Sequence, residues 1–432
     1  MAAPGPPQTL AEKLVARAAG LAAVRPGEIV VCAVDLAMMH DSGGPRRVGP
    51  ILERLGVGVW DASKVVVVTD HFTPAADAES AAILDLTRRW VRGQGIDAFY
   101  DMQGICHVVL PERGHLRPGM FAVGGDSHAP TGGAFGCYMF GVGATEMAGV
   151  LATGEIWLRV PETVSLVWEG AFAAGVSAKD AMLAMCARLG MDGGDYQAIE
   201  YSGSLIRALP MPERMTLCNM AAELGAQAGL IAPDAVTAAH LAECGVATGD
   251  IGDWRSDDAA AVRVRHRFDA GALSPQVAAP HSPANAAPVE DVPPVPVDQC
   301  YIGACTGAKL ADLKMAAAVL AGRRAASGVR LLVAPASAST MGRAAADGTL
   351  ATLTEAGAIV LPAGCNACGG YGAGVLAEGE VCIASTARNF KGRMGAGSSQ
   401  VYLGSPYTVA AAAVAGHIAD PRDLLGVSPE AA

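Results

Sequence analysis

The sequence predicts an α/β protein of several domains. Short runs rich in β-branched residues alternate with alanine- and leucine-rich stretches of helical length, the pattern of sheets covered by helices. At 51% hydrophobic and 17% charged, 432 residues can bury two or three cores, and 53 glycines supply the tight loops between them. Polar residues fall directly after the apolar runs, and ligands of open α/β sheets bind beyond the carboxyl ends of strands.

The runs read as strands in order. EIVVCAV (28–34) comes first, and KVVVVT (64–69) leads into Asp70 and His71. MFAVGG (120–125) leads into Asp126, Ser127 and His128, followed by TVSLVWEG (163–170) and QAIEYSG (197–203). The stretch TLCNMAAELGAQAG (216–229) predicts a helix with Asn219 and Glu223 four apart on one face. QCYIGA (299–304) ends at Cys305, VRLLVAP (329–335) follows, and AIVLPAG (358–364) opens the pair Cys365 and Cys368. EVCIAST (380–386) leads towards Arg388 and Arg393, and QVYLGS (400–405) is the last strand. Between Ser274 and Asp298 the chain is rich in proline and alanine, which predicts a linker able to run extended between domains. The resulting division is 1–161, 162–283 and 284–432, the first two units meeting near Pro161.

Charge narrows the function classes. A net charge of −11 and a pI near 5.3 give no basic field for nucleic acid. A small anionic substrate must then be held by a few local arginines. Glu12, Lys13 and Arg17 interrupt any secretory apolar segment, and no apolar run reaches membrane-spanning length. We therefore expect a cytoplasmic protein without a membrane partner. Eleven cysteines, an odd number without a secretion signal, point to reduced thiols and metal ligation rather than disulfides.

Cys305, Cys365 and Cys368 all lie on loops after apolar strands. Three gathered thiolates can hold a [4Fe–4S] cluster and leave one iron without a protein ligand. A CxxC pair alone also fits a redox dithiol, or half of a zinc site with a nearby histidine. A loop Asp-His can simply cap a helix, and arginines five apart are more often solvated.

The motifs together narrow these choices. DLAMMHD, VVVVTDHFTPA, GICHVVLPE, VGGDSHAPTGGAFG, TLCNMAAELGA, IGACTGAKLADL, GCNACGG and ASTARNFKGRMG stand in the order found in the aconitase family, and the match runs from Leu10 to Asp423. Within that family the chain most resembles the large subunits of 3-isopropylmalate dehydratase, homoaconitase and alkylmalate dehydratases. The resemblance implies a three-domain α/β architecture around a [4Fe–4S] cluster held by Cys305, Cys365 and Cys368, one iron being open to substrate. It implies catalytic pairs Asp70 with His71, Asp126 with His107, and Glu223 with His128. It also implies substrate contacts from His40, Ser127, Asn219, Arg388 and Arg393. A carboxylate fixes an imidazole's tautomer and raises its basicity, and a guanidinium fork grips a carboxylate bidentately. The implied reaction is dehydration and rehydration of a 2-hydroxy dicarboxylic acid, isopropylmalate ranking first.

In the family the carbon base is a serine on a separate swivelling domain. The chain reaches Ala432 without its motif, so a small partner subunit is expected to supply it. Gly307, Ala387 and Ala129 replace the family's usual asparagine, asparagine and threonine, which puts the substrate's identity in play. A different class of function, a cluster-sensing protein that binds RNA once the cluster is lost, runs against the acidic balance. A degenerate structural subunit would leave complete proton-handling pairs idle.

Overall fold

Val65–Thr69 is buried along its whole length, as a β-branched run flanked by strands on both sides should be. It pairs in parallel with Leu36–His40 and Phe99–Asp101, and Phe121–Gly124 and Tyr138–Gly141 complete a five-stranded parallel sheet. The structure, a computed structural model, describes residues 6–249 and 251–426; the outer limits of the expected division, residues 1 and 432, lie outside the described residues.

Among the described residues the strands form four sheets. The second has four parallel strands: Ala228–Ile231, Ala198–Ser202, Thr163–Glu169 and Val264–Asp269. The third has seven, with Gln299–Ile302 between Val381–Ala384 and Arg330–Val333, and Ile359–Val360 at one edge. A two-stranded antiparallel ribbon joins Ile29–Ala33 to Glu155–Arg159. One large apolar core runs through all three main sheets, from Leu36 and Val68 through Trp168 and Tyr201 to Ile302 and Leu403. Among the described residues no helix is long and apolar enough to cross a membrane.

Every run read above as a strand is one. Of the strands not anticipated, LAMMH, FYD and YMFG are short and lack both β-branched enrichment and alternation. The expected helix over 216–229 is corrected. Helix Met211–Asn219 ends at Asn219, tightens into a 3-10 turn over Met220–Leu224, and Ala228 and Gly229 enter strand Ala228–Ile231. Pairing with Ala198–Ser202 there overrides the helical preference of alanine and glutamine.

The expected linker is corrected too. Gln276–Ala278 forms a hairpin with Ala286–Pro288 and pairs with the last strand through Ala278 and Leu403. Val277, Ala278, Val289 and Val297 are buried, so the apolar composition covers core, and Pro288 sits on an edge strand where its missing N–H costs nothing. The boundary placed at 283/284 therefore falls inside this hairpin.

One close approach locks the first sheet's loop to the second. The 3-10 segment Ala129–Phe135 presses Gly133 against Gly229, where a Cβ would come within 1.6 Å of the Gly229 carbonyl oxygen. Gly133→Ala is expected to cost at least the 1–3 kcal/mol of overpacking, roughly, because the obstacle is backbone. Gly149 in helix Ala144–Thr153 is exposed and meets nothing within 4 Å, so Gly149→Ala should instead raise stability by about 0.5–1 kcal/mol. Denaturant melts of both variants check this opposition of sign.

Candidate active site

The strand ends converge as their polar residues require. Cys305, Cys365 and Cys368 line one cavity with Asp70, His71, His107, Asp126, His128 and Arg393. Cys305 follows the interior strand Gln299–Ile302 of the third sheet, while Cys365 caps the 3-10 turn Asn366–Gly369 and Cys368 lies within it. The backbone pays for these turns in strain. Ala304 and Asn366, directly before Cys305 and after Cys365, hold φ of 68° and 46°, values that L-residues with side chains adopt reluctantly.

Burial pushes the Cys365 thiol up to about 12, and it raises that of Cys305, with the neighbouring thiols adding to the effect. Cys305 and Cys365 so placed ionise together only when a cation replaces their protons. Asn219 donates from Nδ2 to Cys305 Sγ at 3.2 Å, the kind of hydrogen bond that tunes a metal-bound sulfur. Buried Arg393 Nε, Glu223 Oε2 and Asn219 Oδ1 have no hydrogen-bond partner among the described residues. This donor set, with sulfur hydrogen bonding and unsatisfied polar atoms around it, fits an iron–sulfur cluster.

The imidazoles each meet a carboxylate. His71 Nδ1 lies 2.7 Å from Asp70 Oδ1, and Asp70 Oδ2 accepts the Cys106 backbone N–H at 2.8 Å. Burial works against charge on both partners. The pairing prevails, holding Asp70 down at about 2, while Cys365 and Asp70 raise His71 well above the ordinary imidazole value. His107 Nε2 is 2.8 Å from Asp126 Oδ1. Asp126 also takes the His128 backbone N–H at 2.8 Å and lies 3.6 Å from His40 Nε2. Against the effect of burial, His107 and His128 hold Asp126 well below the usual carboxylate range. His128 Nε2 stands 3.1 Å from Glu223 Oε1.

The remaining candidates form the wall and rim. His40 is buried and stacks on His71, ring centroids 4.4 Å apart. Arg388 donates from Nε to Glu223 at 2.6 Å and from Nη1 to Ser127 Oγ at 2.9 Å, so it closes the rim through those two side chains. Arg393 lies beside Cys368, deeper than Arg388. Ala387 lines the cavity, and Ala129 is fully buried at the start of its 3-10 segment. A Cβ on Gly307 would sit 2.1 Å from Ser385 Oγ, so no asparagine fits there while Ser385 holds Gly303 N–H at 3.0 Å.

Sequence reasoning passed over Asp41. Its carboxylate accepts the backbone N–H groups of His71 at 3.2 Å and Phe72 at 3.0 Å, and its Oδ1 lies 3.4 Å from His71 Nδ1. The signal was present, since Asp41 directly follows His40 at the end of a strand. Thr131 was passed over as well. It accepts from Asn219 Nδ2 at 2.8 Å and donates to the His128 carbonyl at 2.7 Å, tying the cysteine wall to the histidine loop.

Comparison with known proteins gives consistent matches. A model of the aconitase family (aconitate hydratase) matches residues 22–416. The 3-isopropylmalate dehydratase large subunit 1 of Methanopyrus kandleri is 46% identical over 420 residues, 97% of this chain and 100% of that one. The probable methanogen homoaconitase large subunit of Methanothermobacter thermautotrophicus is 43% identical over 96% of this chain and 98% of its own length. A 3-isopropylmalate dehydratase large subunit from Herpetosiphon aurantiacus is also 43% identical, over 98% of this chain and 99% of its own.

Asp41→Ala is expected to leave the His71 and Phe72 N–H groups without their acceptor, at a cost of about 1–3 kcal/mol for each one that stays buried. Chemical denaturation reads the loss; unchanged stability would show that Asp41 does not hold this loop.

Proposed function

The chain belongs to the aconitase family and is a hydro-lyase, and on that premise we propose that it is the large subunit of an enzyme isomerising isopropylmalate by dehydration and rehydration. Proteins of this family carry an iron–sulfur cluster. Here the proposed form is a [4Fe–4S] cluster on Cys305, Cys365 and Cys368 with one iron free of protein ligands. When bound, such a centre supplies a Lewis acid towards the substrate's hydroxyl and carboxylate. The observation that carries the reading is the meeting of three thiols with carboxylate-backed histidines in a single cavity.

The chain's own residues then divide the remaining work. His71 backed by Asp70, and His107 and His128 backed by Asp126 and Glu223, hold protons where the leaving hydroxyl must be protonated and the returning water deprotonated. Arg393 offers Nε, and Arg388 the part of its fork not engaged by Glu223 and Ser127, to the substrate's carboxylates. Asn219 and Ser127 complete the polar wall, and His40 holds the His71 ring by stacking.

The relatives' "large subunit" names imply a small-subunit partner. We place the carbon base, a serine on a swivelling domain, in that partner. Supporting this, Ser127 stands at the rim, where its Oγ accepts from Arg388 Nη1 at 2.9 Å, and the described residues lining the cavity include no other serine. A homoaconitase-type substrate is the second reading, favoured by the Methanothermobacter relative.

Coexpression with the small subunit under anaerobic conditions, followed by alkene absorbance with isopropylmalate and with homoaconitase substrates, decides between them. Turnover of neither would overturn both readings. The separated chain should be silent and gain activity saturably as small subunit is added; full turnover by the chain alone would place the base within it.

Replacing Cys305, Cys365 or Cys368 with serine should each remove the iron–sulfur chromophore, while Cys32→Ser leaves it. Stoichiometric zinc without iron or sulfide after reconstitution would refute the cluster. His71→Ala should lose about 10²- to 10⁴-fold in turnover with the chromophore intact. Arg393→Lys should also fail, since a point charge does not replace a fork.

A further inference from the structure

Helix Ala178–Leu189 begins with a residue that its surroundings disfavour twice. Lys179 stands in the first turn, where the helix dipole already presents positive charge, and it is only 1% exposed. Its ammonium reaches the Thr386 carbonyl oxygen, and Met220 Sδ at 3.5 Å, but forms no ion pair among the described residues. Lys309 offers the contrast. Also buried, it has Asp312 Oδ2 at 2.7 Å, with Thr216 Oγ1 and the Cys305 carbonyl each at 3.0 Å.

A buried ammonium with one neutral oxygen and one thioether is short of acceptors and has no carboxylate in ion-pair contact among the described residues, which costs far more than a paired one. Burial pulls Lys179 down to about 8 against the attraction of Glu223, Cys186, Cys305 and Cys368. Of the carboxylates near it, Glu223 is already engaged through Oε1 by His128 and Arg388, and Asp312, which also feels Lys179, is paired with Lys309. Burial holds the Cys186 thiol neutral, at about 12. What remains to balance Lys179 is the negative charge that Cys305 and Cys368 acquire when they bind metal.

We propose that Lys179 is a positioning residue whose buried ammonium is the counter-charge of the iron–sulfur cluster, and whose hydrogen bond to Thr386 fixes the turn carrying Ala387 and Arg388. The inference rests on the cluster reading above and concerns a side chain that, among the described residues, forms no hydrogen bond to Cys305, Cys365 or Cys368. A positive charge at this depth favours the more negative, reduced state of a cluster, and so raises its reduction potential. It also makes the chain depend on the cluster for compensation of a buried charge.

The test uses the full chain, metal-free and anaerobically reconstituted, with Lys179→Met and Lys179→Gln removing the charge and Lys179→Arg keeping it. By spectroelectrochemistry the Met and Gln variants should shift the cluster's potential to more negative values, and the Arg variant should stay near the unsubstituted protein. In thermal melts Lys179→Met should be at least as stable as the unsubstituted chain without the cluster, and less stable with it. Equal potentials in all four proteins, or an equal loss of stability with and without the cluster, would overturn the proposal and reduce Lys179 to a packing role. If Lys179→Met does not fold, Lys179→Gln, which keeps a donor for the Thr386 carbonyl, carries the potential measurement. Absence of any chromophore in the unsubstituted protein would strike at the cluster reading itself. A normal chromophore with an unmoved potential strikes only at Lys179.

Discussion

Charge taken out of water has to be compensated, and this requirement organises the structure around its cavity. The thiols of Cys305 and Cys365 are raised by burial and by neighbouring thiols, so the cysteine wall suits a cation. Facing it, Asp70 and Asp126 stay ionised despite burial because histidines and backbone N–H groups surround them. The two walls differ in kind: thiols with Arg393 beside Cys368 on one, and imidazoles each set against a carboxylate on the other. Glu223 joins them, since it accepts from both His128 and Arg388.

Holding such groups together requires rigid approach, and the chain obtains it where two sheets meet. Gly133 lets the His128 loop lie against the backbone of Gly229. Thr131 and Asn219 then connect that loop to Cys305. Positive φ at Ala304 and Asn366 aims Cys305 and Cys365 off their strand ends, a local strain that the surrounding core can maintain. Gly307 shows the same economy of space: Ser385 occupies what a larger side chain would need, so the change at 307 and the packing at 385 belong together.

These contacts also set what a substrate meets. Ala387 leaves room in the cavity wall, and Arg388 is held back by Glu223 and Ser127 at the rim. The deeper Arg393 keeps a buried Nε without a partner. A diacid would thus find one arginine waiting inside and one whose present partners it must share. The apolar wall beside His71 is aromatic, with Tyr371 edge-on to both His71 and Phe72.

Much of this was legible in the residues themselves. β-Branched runs marked their strands because such side chains pack on a pleated surface, and the polar residues after them marked the rim because strand ends are where open sheets bind ligands. Motif order paired Asp70 with His71, Asp126 with His107 and Glu223 with His128, and the distances bring those atoms together. Tertiary structure alone decided where alanine- and glutamine-rich chain leaves a helix at Asn219 to become a strand, because pairing with a neighbour outweighs weak propensity. It also turned the proline-rich stretch after Ser274 into a sheet edge, since its valines and alanines cover core. And it placed Asp41 and Lys179 beside the cavity, because the role of a lone carboxylate or ammonium depends on what it meets through space rather than along the chain.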